Sequence, residues 1–161
     1  ELASLQIIFN IFRQDAINEL LPKAQANNVG VIVRLPLASG LLSGKFKLNQ
    51  QFAESDHRNY NKDGAAFSVG ETFSGIPMNK GIELVTELES FLPQDMSMAQ
   101  LALRWILDQP AVSSVIAGVS KPEQISLNTS ASNLQPLPEK LHTELEKFYL
   151  HSVKQHIRGN I

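Results

Sequence analysis

Residues 31–46 read VIVRLPLASGLLSGKF, and this stretch decides which fold the sequence predicts. Val31, Ile32 and Val33 form an apolar, β-branched run that is typical of a buried strand. The strand runs into Arg34 and then into a turn of small residues and glycines that reaches Lys45. In parallel α/β proteins, ligands bind beyond the carboxyl ends of the strands. The groups that follow each predicted strand are therefore the candidate binding groups.

Two more apolar runs predict strands on either side of this one along the chain. The first covers about Leu5 to Asn10, and the second lies in VSSVIAGV at residues 112–119. Segments with helical spacing separate them, in the order βαβ, a long irregular segment, αα, β, αα. This order predicts an α/β protein whose parallel strands are joined by right-handed crossovers. Because the strands are nearly continuous in apolar residues, we expect each to be covered on both faces.

Helix boundaries can be predicted from caps and prolines. Residues 13–28 predict a helix that Asp15 would cap and that Pro22 would kink or restart. Ser97 and Gln100 form a capping box in front of another helix. These local signals favour regular helices on both sides of the long irregular segment.

The predicted sheet is unusually small. Three parallel strands leave two unpaired edges, and exposed apolar edges promote association. Two interpretations remain open: an unusually small open α/β sheet, or part of a larger closed one.

Residues 47–77 lack any hydrophobic periodicity. The segment is polar and contains several glycines. Irregular connections of this length are uncommon in compact domains, and they often cover a functional site. A linker between two domains is the alternative interpretation.

The composition is that of a folded protein, with 161 residues, 43% of them hydrophobic and 19% charged. The formal net charge of -2 provides no general attraction to nucleic acid or to an anionic membrane, so neither is expected as a partner. The absence of cysteine excludes a disulfide scaffold and thiolate chemistry. No apolar run approaches the roughly 20 residues of a membrane helix, and the first residues do not resemble a signal peptide. We therefore expect a cytoplasmic protein.

The turn after the second strand has groups suited to an anion. Its small residues allow close approach of backbone N–H groups, and a short helix starting near Gly40 would add its positive end. Lys45 would add charge. The turn is not a Walker loop, because Phe46 stands where a hydroxyl would bind Mg²⁺. An ordinary glycine-rich turn is the alternative.

The turn after the third strand has similar groups. Gly118 permits close approach, Ser120 and Lys121 are donors, and a helix is predicted from Pro122. Two such turns on two parallel strands fit a ligand with more than one phosphate, of which a phosphorylated dinucleotide is one example.

The same two turns resemble a known family. VRLPLASGLLSGKF resembles the segment that ends the seventh strand of aldo-keto reductases, and VIAGVSKPEQISLNTSAS is similar to their eighth-strand segment. DHRNYN and ALRWILDQPAVSSVI match what that family places between them. The resemblance implies that residues 1–161 form the C-terminal half of a (β/α)₈ TIM barrel. The three strands would be the sixth to eighth, with a long cover loop and no separate second domain.

The resemblance also implies an NADP(H) site. Matching positions in the first strand, the second strand and its turn are Gln6, Arg34, Leu35, Leu37, Ser39, Gly40, Leu42 and Lys45. Matching positions after the third strand are Gly118, Ser120, Lys121, Gln124 and Asn128. By the resemblance, Gln6 would bind the nicotinamide carboxamide, and Arg34 would lie against the nicotinamide ring or the pyrophosphate. Ser120 and Lys121 would bind the 2′-phosphate.

One position departs from the family pattern at the adenine end. Asn128 matches a family contact to the adenine, but Leu127 stands where many members have a glutamate that binds the adenine amino group. The preference for NADP over NAD is therefore left open.

The family's catalytic groups have no counterpart in the chain. They come from the second to fourth strands: a tyrosine that acts as general acid toward the carbonyl, a lysine that lowers its pKa, and a histidine and an aspartate that assist. We therefore predict no catalytic residue here, no metal site, and no turnover by this chain alone.

Trp105 is expected in the core.

His57 and Arg58 lie in the segment that would hang over the cofactor or the substrate. They are the candidate substrate-loop residues. The alternative is a structural role in which Asp56 pairs with Arg58 locally.

The resulting hypothesis is an NADP(H)-dependent oxidoreductase that reduces aldehydes or ketones to alcohols, represented here by its cofactor-binding half. Its partners would be a small carbonyl substrate, bound together with an N-terminal half, and a homodimer or half-barrel partner at the open strand edges. The alternative is a non-catalytic nucleotide-binding or regulatory module of the same fold.

Overall fold

A computed structural model describes residues 2–159 of the chain. Three parallel strands form one sheet in the order β1-β2-β3. Their bounds are Ser4–Ile8 for β1, Gly30–Arg34 for β2 and Val112–Ile116 for β3. The predicted α/β class with parallel strands is confirmed.

Helices follow the strands in the predicted order, with one short addition, His57–Tyr60, inside the segment that was predicted to be irregular. Their bounds are Leu20–Ala26 (α1), His57–Tyr60 (α2), Met78–Leu88 (α3), Met98–Leu107 (α4), Glu123–Ser130 (α5) and Glu139–Phe148 (α6). Short 3-10 turns join several of them, and a single π turn at Tyr149–Val153 extends α6. No helix in residues 2–159 is long and apolar enough to cross a membrane.

The cap predictions had different outcomes. The capping box is confirmed, because the Gln100 amide donates to Ser97 Oγ and the Ser97 amide donates to Gln100 Oε1. Pro22 lies in the first turn of α1, so the helix restarts there as one of the two alternatives predicted. The prediction that Asp15 caps a helix is wrong. Asp15 lies inside a 3-10 turn, and its carboxylate binds Tyr149 and Lys154 instead.

Helices cover one face of the sheet. Ile7, Val33 and Val115 are in register on that face and pack against the core. On the opposite face Gln6 is exposed, and Ile116 is 51% exposed. The expectation of cover on both faces is therefore wrong for the described residues. The strand order follows the chain order, so right-handed crossovers place their helices on the same side of the sheet.

The core lies between the sheet and the helices. Trp105 of α4 is 1% exposed and stacks on Phe9, with ring centroids 4.9 Å apart. Its predicted core position is confirmed. Leu101, one turn earlier in α4, is fully buried. The contact between Trp105 and Phe9 therefore packs α4 against the end of β1.

Residues 47–77, which we call the cover segment, pack back onto the domain. Phe73 and Ile76 belong to the main hydrophobic core and are at most 1% exposed. Arg158 also binds this segment, because it donates to Gly75 O at 3.0 Å and to Asp63 Oδ1 at 2.7 Å. This packing argues against a linker between two domains.

Leu101→Ala should lower the free energy of unfolding by about 2–5 kcal/mol, because it leaves a cavity in the covered face of the sheet. Urea denaturation followed by circular dichroism measures the change. The matched control is Leu127→Ala, since Leu127 is also helical but 56% exposed, and its cost should stay within about 0.5 kcal/mol. Equal costs for the two leucines would contradict this assignment of the core.

Candidate functional site

The carboxyl ends of the three strands lie at the same edge of the sheet. Ile8, Arg34 and Ile116 are neighbours in register, so the turns that follow β2 and β3 begin side by side. This is the arrangement that a single ligand spanning both turns requires.

Arg34 ends β2 and forms an ion pair with Glu71 of the cover segment. Both terminal nitrogens of the guanidinium contact the carboxylate, with Nη2 to Oε1 at 2.6 Å. The hydrogen bonds from Arg34 lower the pKa of Glu71, and the same bonds raise the pKa of Arg34. The side chains are 35% and 27% exposed, so the pair is reachable from solvent. Sequence reasoning missed Glu71, because nothing in VGETFSG indicates a distant arginine.

The turn after β2 differs from the prediction. Ala38, Ser39 and Gly40 have left-handed backbone angles, with φ of 47°, 57° and 100°. The expected short helix near Gly40 is present only as a 3-10 turn, because the segment Ala38–Ser43 is 3-10 helix with a kink at Ser39 and Gly40. The Gly40 amide donates to Leu37 O at 2.9 Å. A side chain at Gly40 would also meet the Phe46 ring, with Cβ at 2.8 Å.

Ser39 is bound by the cover segment. Its hydroxyl accepts a hydrogen bond from the Phe73 amide at 3.1 Å and lies 3.5 Å from Glu71 O. Its predicted role toward a pyrophosphate would therefore compete with this contact.

The remaining predicted residues of this turn have different exposures. Leu42 is fully buried and Leu37 is half-buried against the core, so their side chains serve packing. Leu35 has a positive φ of 52°, and Lys45 is exposed. Of these residues, Lys45 has the side chain most accessible to an anion.

The buried side-chain amide of Asn10 anchors the turn after β2. The sequence analysis also missed this residue. Asn10 is fully buried, and its Nδ2 donates to Leu35 O and to Ser74 Oγ, both at 3.0 Å. Its Oδ1 accepts from the Phe12 amide at 2.9 Å. A single side chain thus joins the end of β1, the turn after β2 and the cover segment.

The turn after β3 already binds an oxygen atom. Gln124 Oε1 accepts from the Ser120 amide at 2.6 Å, from the Lys121 amide at 3.0 Å and from Ser120 Oγ at 3.2 Å. A side chain at Gly118 would have no neighbouring atom within 4 Å of its Cβ, so the turn is open on that side. Lys121 is exposed and Asn128 is half-buried on α5. Two amides, a hydroxyl and an ammonium in one turn form a donor set suited to a phosphate.

A groove of about 1570 Å³ runs along the outer edge of β1. Gln6 and Arg34 both line it, together with Gly70 and Glu71 of the cover segment. Lys121 is not among its lining residues. The predicted nicotinamide contacts therefore share one groove, whereas the predicted 2′-phosphate contacts lie at the other edge of the sheet, after β3.

Arg58 has a structural role within the cover segment. It donates to Asp56 Oδ1 from Nε at 2.9 Å and to Oδ2 from Nη2 at 2.6 Å, and its guanidinium lies 4.3 Å from the Phe52 ring centroid. These hydrogen bonds lower the pKa of Asp56 to about 2. The local pairing considered as the alternative is present, and His57 Nδ1 lies 3.5 Å from the same carboxylate.

Tyr149 is a buried structural residue. It is 1% exposed and donates to Asp15 Oδ2 at 2.5 Å, and Lys154 Nζ lies 2.5 Å from Oδ1. Burial, followed by the Asp15 contact, raises the pKa of Tyr149. Burial of Asp15 opposes ionisation, but the hydrogen bonds from Lys154 and Tyr149 outweigh it and lower its pKa. Because its hydroxyl is buried and already donates to Asp15, Tyr149 serves the packing of the domain.

Comparisons with known proteins agree on one family. The model of the aldo/keto reductase family matches residues 1–150. An L-glyceraldehyde 3-phosphate reductase of Escherichia coli (strain K12) is 35% identical over 114 residues, which are 71% of this chain and 32% of that protein. A probable voltage-gated potassium channel subunit beta of Oryza sativa subsp. japonica is 33% identical over 132 residues, 80% of this chain and 38% of that protein.

A solved structure shows the same fold. The glycerol dehydrogenase AKR11B4 from Gluconobacter oxydans superposes with a TM-score of 0.75 at 24% identity. The match covers 99% of this chain and 46% of that one. The chain spans between 32% and 40% of the length of the curated relatives it matches.

Asp56→Asn should cost about 1–2 kcal/mol of unfolding free energy at pH 7, because the pair with Arg58 is lost. The pKa of Asp56 is lowered in the folded state, so its contribution is present above the unfolded value of about 3.9 and is lost as pH falls toward 2. Urea denaturation between pH 7 and pH 3 should show the mutant and parent curves converging in acid. The exposed Asp95→Asn is the control and should change little. A gap between Asp56→Asn and the parent that stays constant with pH would disprove the assignment.

Proposed function

The chain belongs to the aldo/keto reductase family, and from that premise we propose that it carries the NADP(H)-holding part of an oxidoreductase that reduces aldehydes or ketones to alcohols. Bound NADPH would supply the hydride for the carbonyl carbon. The residues of this chain would bind and orient the two ends of the cofactor. Its cysteine-free composition fits a reducing, cytoplasmic setting.

The observation that supports this proposal most strongly is the turn after β3. The Ser120 and Lys121 amides converge on one oxygen, which in this structure is Gln124 Oε1. A phosphate oxygen can take the same place, and the exposed Lys121 would add charge. The donor set therefore fits the 2′-phosphate of NADP(H). Asn128 on α5 would meet the adenine.

The groove beside β1 fits the other end of the cofactor. Gln6 is exposed on the open face of the sheet and can bind the nicotinamide carboxamide, and Arg34 lies in the same groove. The pyrophosphate would pass the turn after β2, where Lys45 is exposed. The fit is weaker there, because Ser39 and the Gly40 amide already have partners within the chain.

The open face and the free edges of the sheet support a half-barrel. In a closed (β/α)₈ barrel the face lined by Gln6, Ile32 and Ser114 would be the interior, and β1 and β3 would each gain a neighbour. The strands here would be the sixth to eighth. The catalytic tyrosine, lysine, histidine and aspartate would come from the second to fourth strands, and residues 1–161 alone would show no turnover. An N-terminal half would also complete the site for the carbonyl substrate.

A non-catalytic role is the second candidate. It is favoured by the 33% identity to a protein described as a probable potassium channel subunit beta. In this case the chain would bind the nucleotide without reducing a substrate. Its open strand edges would pair with a second copy or with another protein. A stable complex without reductase activity would distinguish this role from the first.

Lys121→Glu should weaken NADPH binding by about 2 kcal/mol or more, roughly thirtyfold in Kd, because a charge-assisted contact becomes a repulsion. Titration of the chain into NADPH, followed by nucleotide fluorescence, measures the Kd. His57→Ala should leave it unchanged, since His57 pairs within the cover segment.

Lys140→Glu is the matched charge reversal, because the Lys140 side chain is 86% exposed on α6. It should bind NADPH as the parent does. Equal loss of NADPH binding in both lysine variants would show that only the net charge matters. Absence of NADPH binding by the unmodified chain would count against the proposed function.

A further inference from the structure

The ion pair between Arg34 and Glu71 has no role in the contacts assigned so far. It joins the last residue of β2 to a carboxylate 37 positions later in the chain. Both terminal nitrogens of the guanidinium face the two carboxylate oxygens. The charge of Arg34 is therefore compensated within the protein at the point where Arg34 enters the groove beside β1.

Glu71 is held in place by its own backbone neighbours. The next two residues, Thr72 and Phe73, are at most 1% exposed. The Phe73 amide is bound to Ser39 Oγ at 3.1 Å, and Thr72 Oγ1 accepts from the buried Asn61 at 3.0 Å. A segment buried in this way is not expected to move when a ligand binds. The carboxylate is thus a fixed part of the groove.

We infer that Glu71 determines how strongly the site holds the oxidised cofactor relative to the reduced one. This inference rests on the proposed function, in which Arg34 lies beside the nicotinamide ring. The ring of NADP⁺ carries a positive charge and the ring of NADPH is neutral. An arginine in the same groove would repel the oxidised ring, and Glu71 cancels that repulsion.

The pair also bears on which part of the cofactor Arg34 meets. A phosphate is attracted by an uncompensated positive charge, and that of Arg34 is already matched by Glu71. The flat faces of a paired guanidinium can still stack on a planar ring. Arg13 lies near the same carboxylate, beside Gly70, and it also lowers the pKa of Glu71. Neutralising Glu71 therefore adds one positive unit to this end of the groove, whatever its other neighbours contribute.

The test is Glu71→Gln in the full chain, with Kd measured for both cofactor forms. NADPH is titrated by fluorescence, and NADP⁺ is measured by its competition with NADPH. We expect the Kd of NADP⁺ to rise about tenfold and that of NADPH to change by less than about twofold, because the new unit charge beside the ring repels only the oxidised ring, whereas any effect on the phosphates is common to both forms.

Two further variants make the result specific. The double variant Arg34→Gln with Glu71→Gln removes both charges, so the ratio of the two Kd values should return to that of the parent. Glu83→Gln is the matched control, because it removes a carboxylate from an exposed pair with Lys80 on α3, where the side chains are 36% and 58% exposed. Thermal unfolding of every variant shows whether it is folded.

The outcomes separate this inference from the proposed function. If Glu71→Gln weakens NADP⁺ and NADPH equally, Glu71 serves structure alone and the inference is wrong. If it tightens both, Arg34 meets the phosphates and the inference is also wrong. If the parent binds both forms and Lys121→Glu abolishes binding, but Glu71→Gln leaves the ratio unchanged, only the inference fails. If the parent binds neither form, the proposed function fails and the inference with it.

Discussion

The rest of the structure depends on the pairing of β2 with β1 on one side and β3 on the other, all parallel and in chain order. Right-handed crossovers between strands in this order place their helices on one side. That arrangement leaves the row of Gln6, Ile32 and Ser114 on the face without helices, and it brings three carboxyl ends to one edge. An open face and a shared edge of strand ends are thus two results of the same topology.

The cover segment is fixed by polar side chains in addition to the buried Phe73 and Ile76. Asn61 is fully buried and its Oδ1 accepts from the amides of Ala66 and Phe67, at 3.0 and 2.9 Å. Asn10 and Arg158 tie the segment to β1 and to the chain end. Such amide and guanidinium networks satisfy backbone groups where no helix or strand does so. They explain how a segment without periodicity can pack onto the domain.

The features predicted correctly from the sequence depend on residues that are close together in the chain. The strand at Val31 to Val33 and the capping box at Ser97 follow from local pattern and local hydrogen bonding, and both are present. Asp15 was assigned to a cap because its distant partners, Tyr149 and Lys154, leave no local sign. The same limit hid Asn10 and Glu71, whose partners lie 64 and 37 positions away. Left-handed angles at Ala38 and Ser39 were also beyond reach, because residues with side chains seldom adopt them.

The candidate site divides its charge between two ends. The turn after β3 presents amides and an exposed Lys121, whereas the end of β2 presents an arginine whose charge Glu71 compensates. A ligand with phosphates at one end and a planar ring of variable charge at the other would meet the matching surface at each end. Uniformly positive walls would attract the phosphates at both ends and would hold the ligand in either orientation. In the proposed function, the compensated pair in the groove would therefore contribute to the orientation of the ligand. It would do so from the cover segment, which has the least regular structure in the fold.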